Sequence, residues 1–210
     1  MGLLSLLVSN PVAFILLAFL LLYSIILHEL AHGLVASWFG DDTAKYAGRL
    51  SLNPISHLDI LGTLMLFLVG FGWAKPVPVN YYTLKNTRLG LISVALAGCL
   101  TNILLAIISI FLLQFQFVNT NPLFSTVLAT AARINIILGA FNLIPIPPLD
   151  GSKVFMGFLP EEAQLNLARI EPYGFFIIVF LLFTGLLYPL INFMESLIYG
   201  FISLLLGFFK

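Results

Sequence analysis

Two histidines and an acid share five residues of this chain: Leu27-His28-Glu29-Leu30-Ala31-His32-Gly33 contains the pattern HExxH. Residues four apart on a helix lie on one face, so His28 and His32 can each offer a ring nitrogen to one ion. Glu29, one position along, can reach a water beside that ion. The chemistry this suits is activation of water by a divalent metal, with the carboxylate taking the proton. The pattern uses two of the chain's three histidines and one of its nine acids, inside an apolar run where an ionisable side chain costs on the order of 2.5 to 3.5 kcal/mol. The plainer use of such residues is a hydrogen bond to a neighbouring helix.

A catalytic zinc takes three protein ligands and keeps one position open, so a further donor is needed. A third histidine six residues past His32 is excluded, because that position is Trp38. Glu161, Glu162 and Glu171 fall in the most polar stretch of the chain. Asp150 is better placed. It closes the helix-breaking segment Phe141-Asn142-Leu143-Ile144-Pro145-Ile146-Pro147-Pro148-Leu149-Asp150-Gly151 at the end of an apolar span, at the depth expected for His28 and His32. His57 and Asp59 compete with it, and an aspartate before glycine is also an ordinary turn or helix cap. With Cys99 as the single cysteine, a disulfide framework and a cysteine zinc cluster are both excluded.

The elements that must carry these residues are membrane helices. Of the 210 residues, 60% are hydrophobic and 9% charged, with mean hydropathy +1.09 and zero net charge, against roughly 25% charged residues in soluble domains. No basic field exists to hold nucleic acid. The pattern predicts an all-α polytopic membrane protein with about five transmembrane helices, a re-entrant or interfacial segment and short cytoplasmic extended segments, all in a single domain over residues 1–210. Helix one runs from Pro11 toward Phe39 and, lacking a preceding basic residue, reads as retained rather than as a signal peptide. Residues 58–71 are short for a crossing. Spans follow at Leu89–Val118 and Leu123–Ile144, joined by an Asn-Thr-Asn-Pro turn, then at Tyr173–Tyr188 and Ile191–Phe209, hinged at Pro189. Lys45, Arg49, Lys75, Lys85, Arg88, Lys153, Arg169 and Lys210 fall on one side if 58–71 does not cross. The positive-inside rule then puts the N-terminus outside, and the C-terminus and the active site toward the cytoplasm. Arg133 is the one basic residue inside a span and needs a partner or a water path.

HELAHG in the first helix, with NLIPIPPLDG more than a hundred residues later, resembles the site-two protease family of intramembrane zinc metalloproteases. Gly72-Trp73-Ala74-Lys75-Pro76-Val77-Pro78-Val79-Asn80 and Asn53-Pro54-Ile55-Ser56-His57-Leu58-Asp59 resemble segments of its compact bacterial branch. The likeness covers most of residues 20–160. It implies one zinc held by His28, His32 and Asp150, with Glu29 as the catalytic glutamate. It also implies Asn142 near the active site, transmembrane protein substrates in a lipid bilayer, and the plasma membrane of a prokaryote. Where the family commonly has a proline after an Ala-Gly pair, this chain has Ala97-Gly98-Cys99. Larger members carry PDZ or nucleotide-sensing domains, which this sequence lacks.

The chemistry implied is amide hydrolysis. A transmembrane helix hides its carbonyls in its own hydrogen bonds, so the scissile segment must be held extended. Residues 45–58 and 72–82 are candidates for pairing with it, or are ordinary loops. Two other classes remain open: a catalytically silent protein that binds membrane segments, which would lack part of this residue set, and a divalent metal transporter, which would spread ionisable groups over several depths.

Overall fold

The computed structural model describes residues 7–69, 72–81, 83–85 and 87–207. Gly70, Phe71, Tyr82, Phe209 and Lys210, which figure in the expectations above, lie outside them. Helix α1 (Pro11–Trp38) is 28 residues long and apolar around its circumference. It starts on Asn10, whose side chain accepts the Ala13 N–H at 3.0 Å, with Pro11 in the first helical position where its missing donor costs nothing. A one-turn α2 (Thr43–Tyr46), a 3₁₀ turn at Pro54–Ser56 and α3 (Ile60–Val69) lead to α4 (Thr87–Leu113). After the short α5 (Gln116–Asn119), Asn121 caps α6 (Pro122–Asn142) by accepting the Leu123 and Phe124 N–H groups at 3.1 and 3.2 Å. The prolines at 145, 147 and 148 end that run before α7 (Asp150–Met156). Then come α8 (Glu161–Ile170), α9 (Gly174–Phe183) and α10 (Leu187–Gly207).

Five stretches are long and apolar enough to cross a bilayer: Pro11–Trp38, Arg88–Leu113, Pro122–Asn142, Glu162–Phe183 and Leu187–Gly207. The chain is an integral membrane protein, and among the described residues it is all helix and turn, with no strand. Helices α1, α4 and α6 pack as a wedge that carries the polar residues. On its outer side α10 meets α4 and α6 through Ala106, Ile136, Ala140, Ile198 and Ile202.

Three expectations need correction. Residues 45–58 are not extended, because Thr43–Tyr46 and Pro54–Ser56 turn helically, and 72–80 runs without regular pairing. The second long span ends at Leu113 rather than Val118. The final hinge is at Gly185, not Pro189. Gly185 has φ +77°, a conformation that costs side chains with a Cβ, while Pro189 sits in the first turn of α10, where no intrahelical partner for its N–H is required.

Residues on either side of α3 lie together: the Lys75 N–H donates to the His57 carbonyl at 2.8 Å, and a Cβ at Gly62 would fall 2.1 Å from the Trp73 oxygen. At the other end of the chain, Leu187 packs in a cluster with Ile144, Leu149 and Ile178, while Leu206 and Gly207 share a cavity with Ile110 and Gln114. Helix α10 therefore runs from the Ile144 end of the wedge to the Gln114 end.

Candidate metal centre

Ser24, His28, His32 and Ala36 form one buried stripe of α1, each a helical turn apart and all turned into the wedge. The two rings are fixed from behind. His28 Nδ1 lies 2.6 Å from Asn102 Oδ1, and His32 Nδ1 lies 2.7 Å from the Val94 carbonyl. Both partners are oxygen acceptors, so each Nδ1 carries the proton and each Nε2 presents its lone pair. Asn102 is itself held, since its Nδ2 donates to Asn135 Oδ1 at 2.7 Å and Asn135 Nδ2 donates to Ser24 Oγ at 2.9 Å. This network joins all three helices of the wedge.

The rings rest on Gly98 of α4. A Cβ there would fall 2.5 Å from His28 Cε1, His28 Nε2 and His32 Nε2, so only glycine admits this approach. Asp150, first residue of α7, completes the group. Its Oδ2 lies 3.0 Å from His28 Nε2 and 3.2 Å from His32 Nε2, and the two Nε2 atoms are 3.1 Å apart. Two imidazole lone pairs and a carboxylate at this spacing repel one another unless a cation lies between them. Tetrahedral zinc with bonds of about 2.0 to 2.2 Å sets its ligands about 3.3 Å apart, so the donor set fits.

Glu29 is half-buried and its Oε2 accepts the Val77 N–H at 2.8 Å. With His28, His32, Asp150 and Asn142 it lines a cavity of about 570 Å³, roofed by Trp73, Pro76, Val77 and Phe175. Asn142 donates to the Leu138 carbonyl at 3.1 Å. Lys153, one turn past Asp150, also faces the cavity. It lies 3.4 Å from Glu171 and 4.9 Å from the centre of the Tyr81 ring. The competing pair is engaged elsewhere: His57 Nε2 lies 2.8 Å from the Ser51 carbonyl, and Asp59 accepts the Gly62 N–H at 2.7 Å. Of the three late glutamates, Glu171 meets Lys153. Asn102, Asn135 and Ser24 had no assigned role in the sequence reading. The signal for them was present, since amides inside apolar helices carry the same desolvation cost that marked His28.

The sequence profile of peptidase family M50 matches residues 116–185, a stretch that includes Asn142 and Asp150 but not the HExxH residues. YwhC of Bacillus subtilis (strain 168), which bears the provisional name of zinc metalloprotease, is 42% identical over 183 residues, 82% of this chain and 84% of that protein. The chain belongs to peptidase family M50. This is the site-two protease family expected from the motifs, and the chain is a membrane metalloprotease within it. Rip2 of Mycolicibacterium smegmatis (strain ATCC 700084 / mc(2)155), also provisionally named a zinc metalloprotease, is 32% identical over 78% of this chain and 64% of its own length. Zinc metalloprotease MJ0392 of Methanocaldococcus jannaschii is 28% identical over 73% of this chain and 37% of its own length. No solved structure matches the chain. Among the described residues, the group able to hold the zinc of such an M50 enzyme is His28, His32 and Asp150, whose donor atoms all lie within 4.8 Å of one another.

Proposed function

We propose that this M50 chain is an intramembrane zinc endopeptidase that cuts peptide bonds within or next to the transmembrane segments of other membrane proteins, the cleavage step of regulated intramembrane proteolysis. The observation that carries the reading is the convergence of His28 Nε2, His32 Nε2 and Asp150 Oδ2 at 3.0 to 3.2 Å inside a membrane helix wedge. These three residues hold the zinc. Zinc bound there supplies Lewis acidity, polarising a peptide carbonyl and lowering the pKa of water toward ~7. Glu29 takes the proton of the attacking water and returns it to the leaving amine. Asn142, on the cavity wall, positions the substrate backbone through its amide. The apolar remainder of the wall, from Leu138 and Phe141 to Ile178, suits an unwound apolar segment.

Residues 72–80 hold that segment extended. The N–H groups of Lys75 and Val77 point at His57 and Glu29, so the alternate backbone groups of Pro76 and Pro78 turn the other way, presenting carbonyls without N–H groups to a substrate strand. The contacts of Gly62 with Trp73 and of His57 with Lys75 support a re-entrant path for residues 58–71. By the positive-inside rule the metal end of the wedge, with Lys45, Lys85 and Lys153, faces the cytoplasm and the N-terminus lies outside. The direction of α10 carries Gly207 to the far side with Gln114. On this reading Gly207 lies outside, so four of the five apolar stretches cross and Glu162–Phe183 does not; the expected cytoplasmic C-terminus is the alternative that labelling decides. Cysteine labelling from each side at Lys153, Asn119 and Gly207 checks the arrangement.

The decisive test separates ligand from base. Glu29→Gln keeps all three donors, so purified protein should hold about one zinc per chain while cleavage of a transmembrane substrate falls by about 10² to 10⁴. Asp150→Ala should lose zinc and cleavage together. Full cleavage by Glu29→Gln, or full zinc occupancy in Asp150→Ala, would overturn the assignment.

A further inference from the structure

One charged side chain on the cavity wall has no part in holding the metal or moving the proton. Among the described residues that line the cavity, Lys153 is the one charged group besides Glu29 and the three metal ligands. Its side chain is only 22% exposed, and an ammonium withdrawn from water into a mostly apolar wall is costly unless it is paired.

The surroundings show what this ammonium can bind. It carries three donors and no acceptor. Glu171, in the 3₁₀ turn Glu171–Tyr173 between α8 and α9, lies 3.4 Å away, longer than the about 2.7 to 2.9 Å of a tight charge-assisted bond. The Glu171 side chain is 41% exposed, so water competes for it and the pair is weak. The other neighbour is the face of the Tyr81 ring, 4.9 Å from Nζ, and Tyr81 lines the same cavity. A loose ion pair and a ring face hold the amine at the wall without using all three donors. Lys153 follows Asp150 by one turn of α7, about 4.5 Å of helix rise. An extended segment advances about 3.3 Å per residue, so the ammonium falls beside a bound residue within about three positions of the one at the metal.

We propose that Lys153, steadied by Tyr81, is a specificity-determining residue that pairs with a carboxylate on the bound segment, within about three residues of the point nearest the metal. The inference rests on the proposed use of this cavity to hold a peptide segment. A carboxylate carried into an apolar cavity needs a cation opposite it, and Glu29, elsewhere on the wall, repels it. Glu171 is then the resident anion with which it competes.

The test offers the full chain, in lipid nanodiscs, a model transmembrane peptide in which a single Asp is scanned over three positions on each side of the cleavage site. Each peptide is compared with its Asn counterpart. Two readouts are taken: kcat/KM for cleavage by zinc-loaded wild type, and binding by zinc-loaded Glu29→Gln, which needs no turnover. In both, one position or two adjacent ones should favour Asp by about tenfold. Within each background, Lys153→Gln should bring the ratio to about one, Lys153→Arg should retain it, and Glu171→Gln, which removes the competing acid, should raise it. Each ratio compares two peptides on one protein, so a general loss of activity cancels, and zinc content reports the fold. A second series, peptides truncated at each position and ending as acid or amide, is read by binding and tells a chain terminus from a side chain as the source of the carboxylate. A ratio of about one in both series, or a preference that survives Lys153→Gln, would overturn the subsite. A Lys153-dependent preference in binding, with no cleavage by wild type, would support the subsite and overturn the protease reading.

Discussion

The wedge of α1, α4 and α6 and the segment at 72–81 that roofs it face the same cavity but are held by opposite means. In the wedge, side chains bind side chains: Ser24, Asn135, Asn102 and His28 form one chain of hydrogen bonds that crosses three helices, with every member buried. The roof is held by its backbone, at isolated points: Lys75 to His57 and Arg49, Val77 to Glu29, and Asn80 to Asp41. A connected polar network in a low-dielectric interior fixes one geometry. Separate tethers to an extended segment with prolines at 76 and 78 can be released one at a time. The metal side is thus built for permanence and the substrate side for exchange.

The largest effect should come from breaking the wedge where its tolerance is least. Gly98→Ala puts a methyl 2.5 Å from both imidazoles, so zinc occupancy should collapse and cleavage fall by more than about 10². Gly200→Ala, on α10 with nothing within 4 Å of the added carbon, should be neutral or stabilising by about 0.5 to 1 kcal/mol. Equal zinc content in the two variants would contradict the packing. Asn102→Ala comes next. It removes the acceptor that fixes the His28 ring, and metal affinity and cleavage should drop together by about 10- to 100-fold. Metal titration beside single-turnover cleavage measures both.

This difference between the regions also explains what the sequence disclosed. His28, Glu29, His32 and Asp150 were legible because ionisable side chains are costly in lipid and the HExxH spacing is a property of one helix. The helical class and the long spans were legible from hydropathy, which acts locally. The hinge was misplaced because proline is a visible breaker, yet Pro189 falls in a first turn that tolerates it, while Gly185 takes the positive φ. Extended structure at 45–58 was misread because Asn53 caps a 3₁₀ turn by accepting the Ile55 N–H, a local bond that overrides strand propensity. The roles of Asn102 and Asn135 depend on which helices pack together, which no single segment encodes.

On the roof, smaller and separable effects are expected. Val77→Pro removes the N–H that Glu29 accepts, in a stretch already extended by its flanking prolines. The metal ligands are untouched, so zinc should stay at wild-type occupancy while cleavage falls about tenfold, the scale of one hydrogen bond to a charged group. A parallel loss of zinc would show that roof and wedge are a single unit, against the comparison drawn above.

The smallest effect concerns Asp41, whose buried carboxylate ties the roof to the end of α1. It accepts the Asn80 N–H at 2.7 Å, the Thr43 N–H at 3.1 Å and the Thr43 hydroxyl. Burial works against its charge, but the Thr43 hydroxyl and the Asn80 and Thr43 N–H groups outweigh burial and hold its pKa below the ordinary carboxylate value. A folded-state pKa below the unfolded one means that this tether is at full strength above the ordinary value of about 3.9, and is lost as pH falls below that through the folded value. At neutral pH the wild-type roof should therefore be closed, and acid should open it. Asp41→Asn keeps the size of the side chain but replaces the charged acceptor with a neutral one. Its roof should show at pH 7 a few-fold faster limited proteolysis within 72–81, of the kind wild type gains only in acid, with zinc content unchanged. Identical proteolysis of the two proteins at pH 7 would mean that Asn80 is held without Asp41, and that the roof is anchored only through Glu29 and the 49–57 segment.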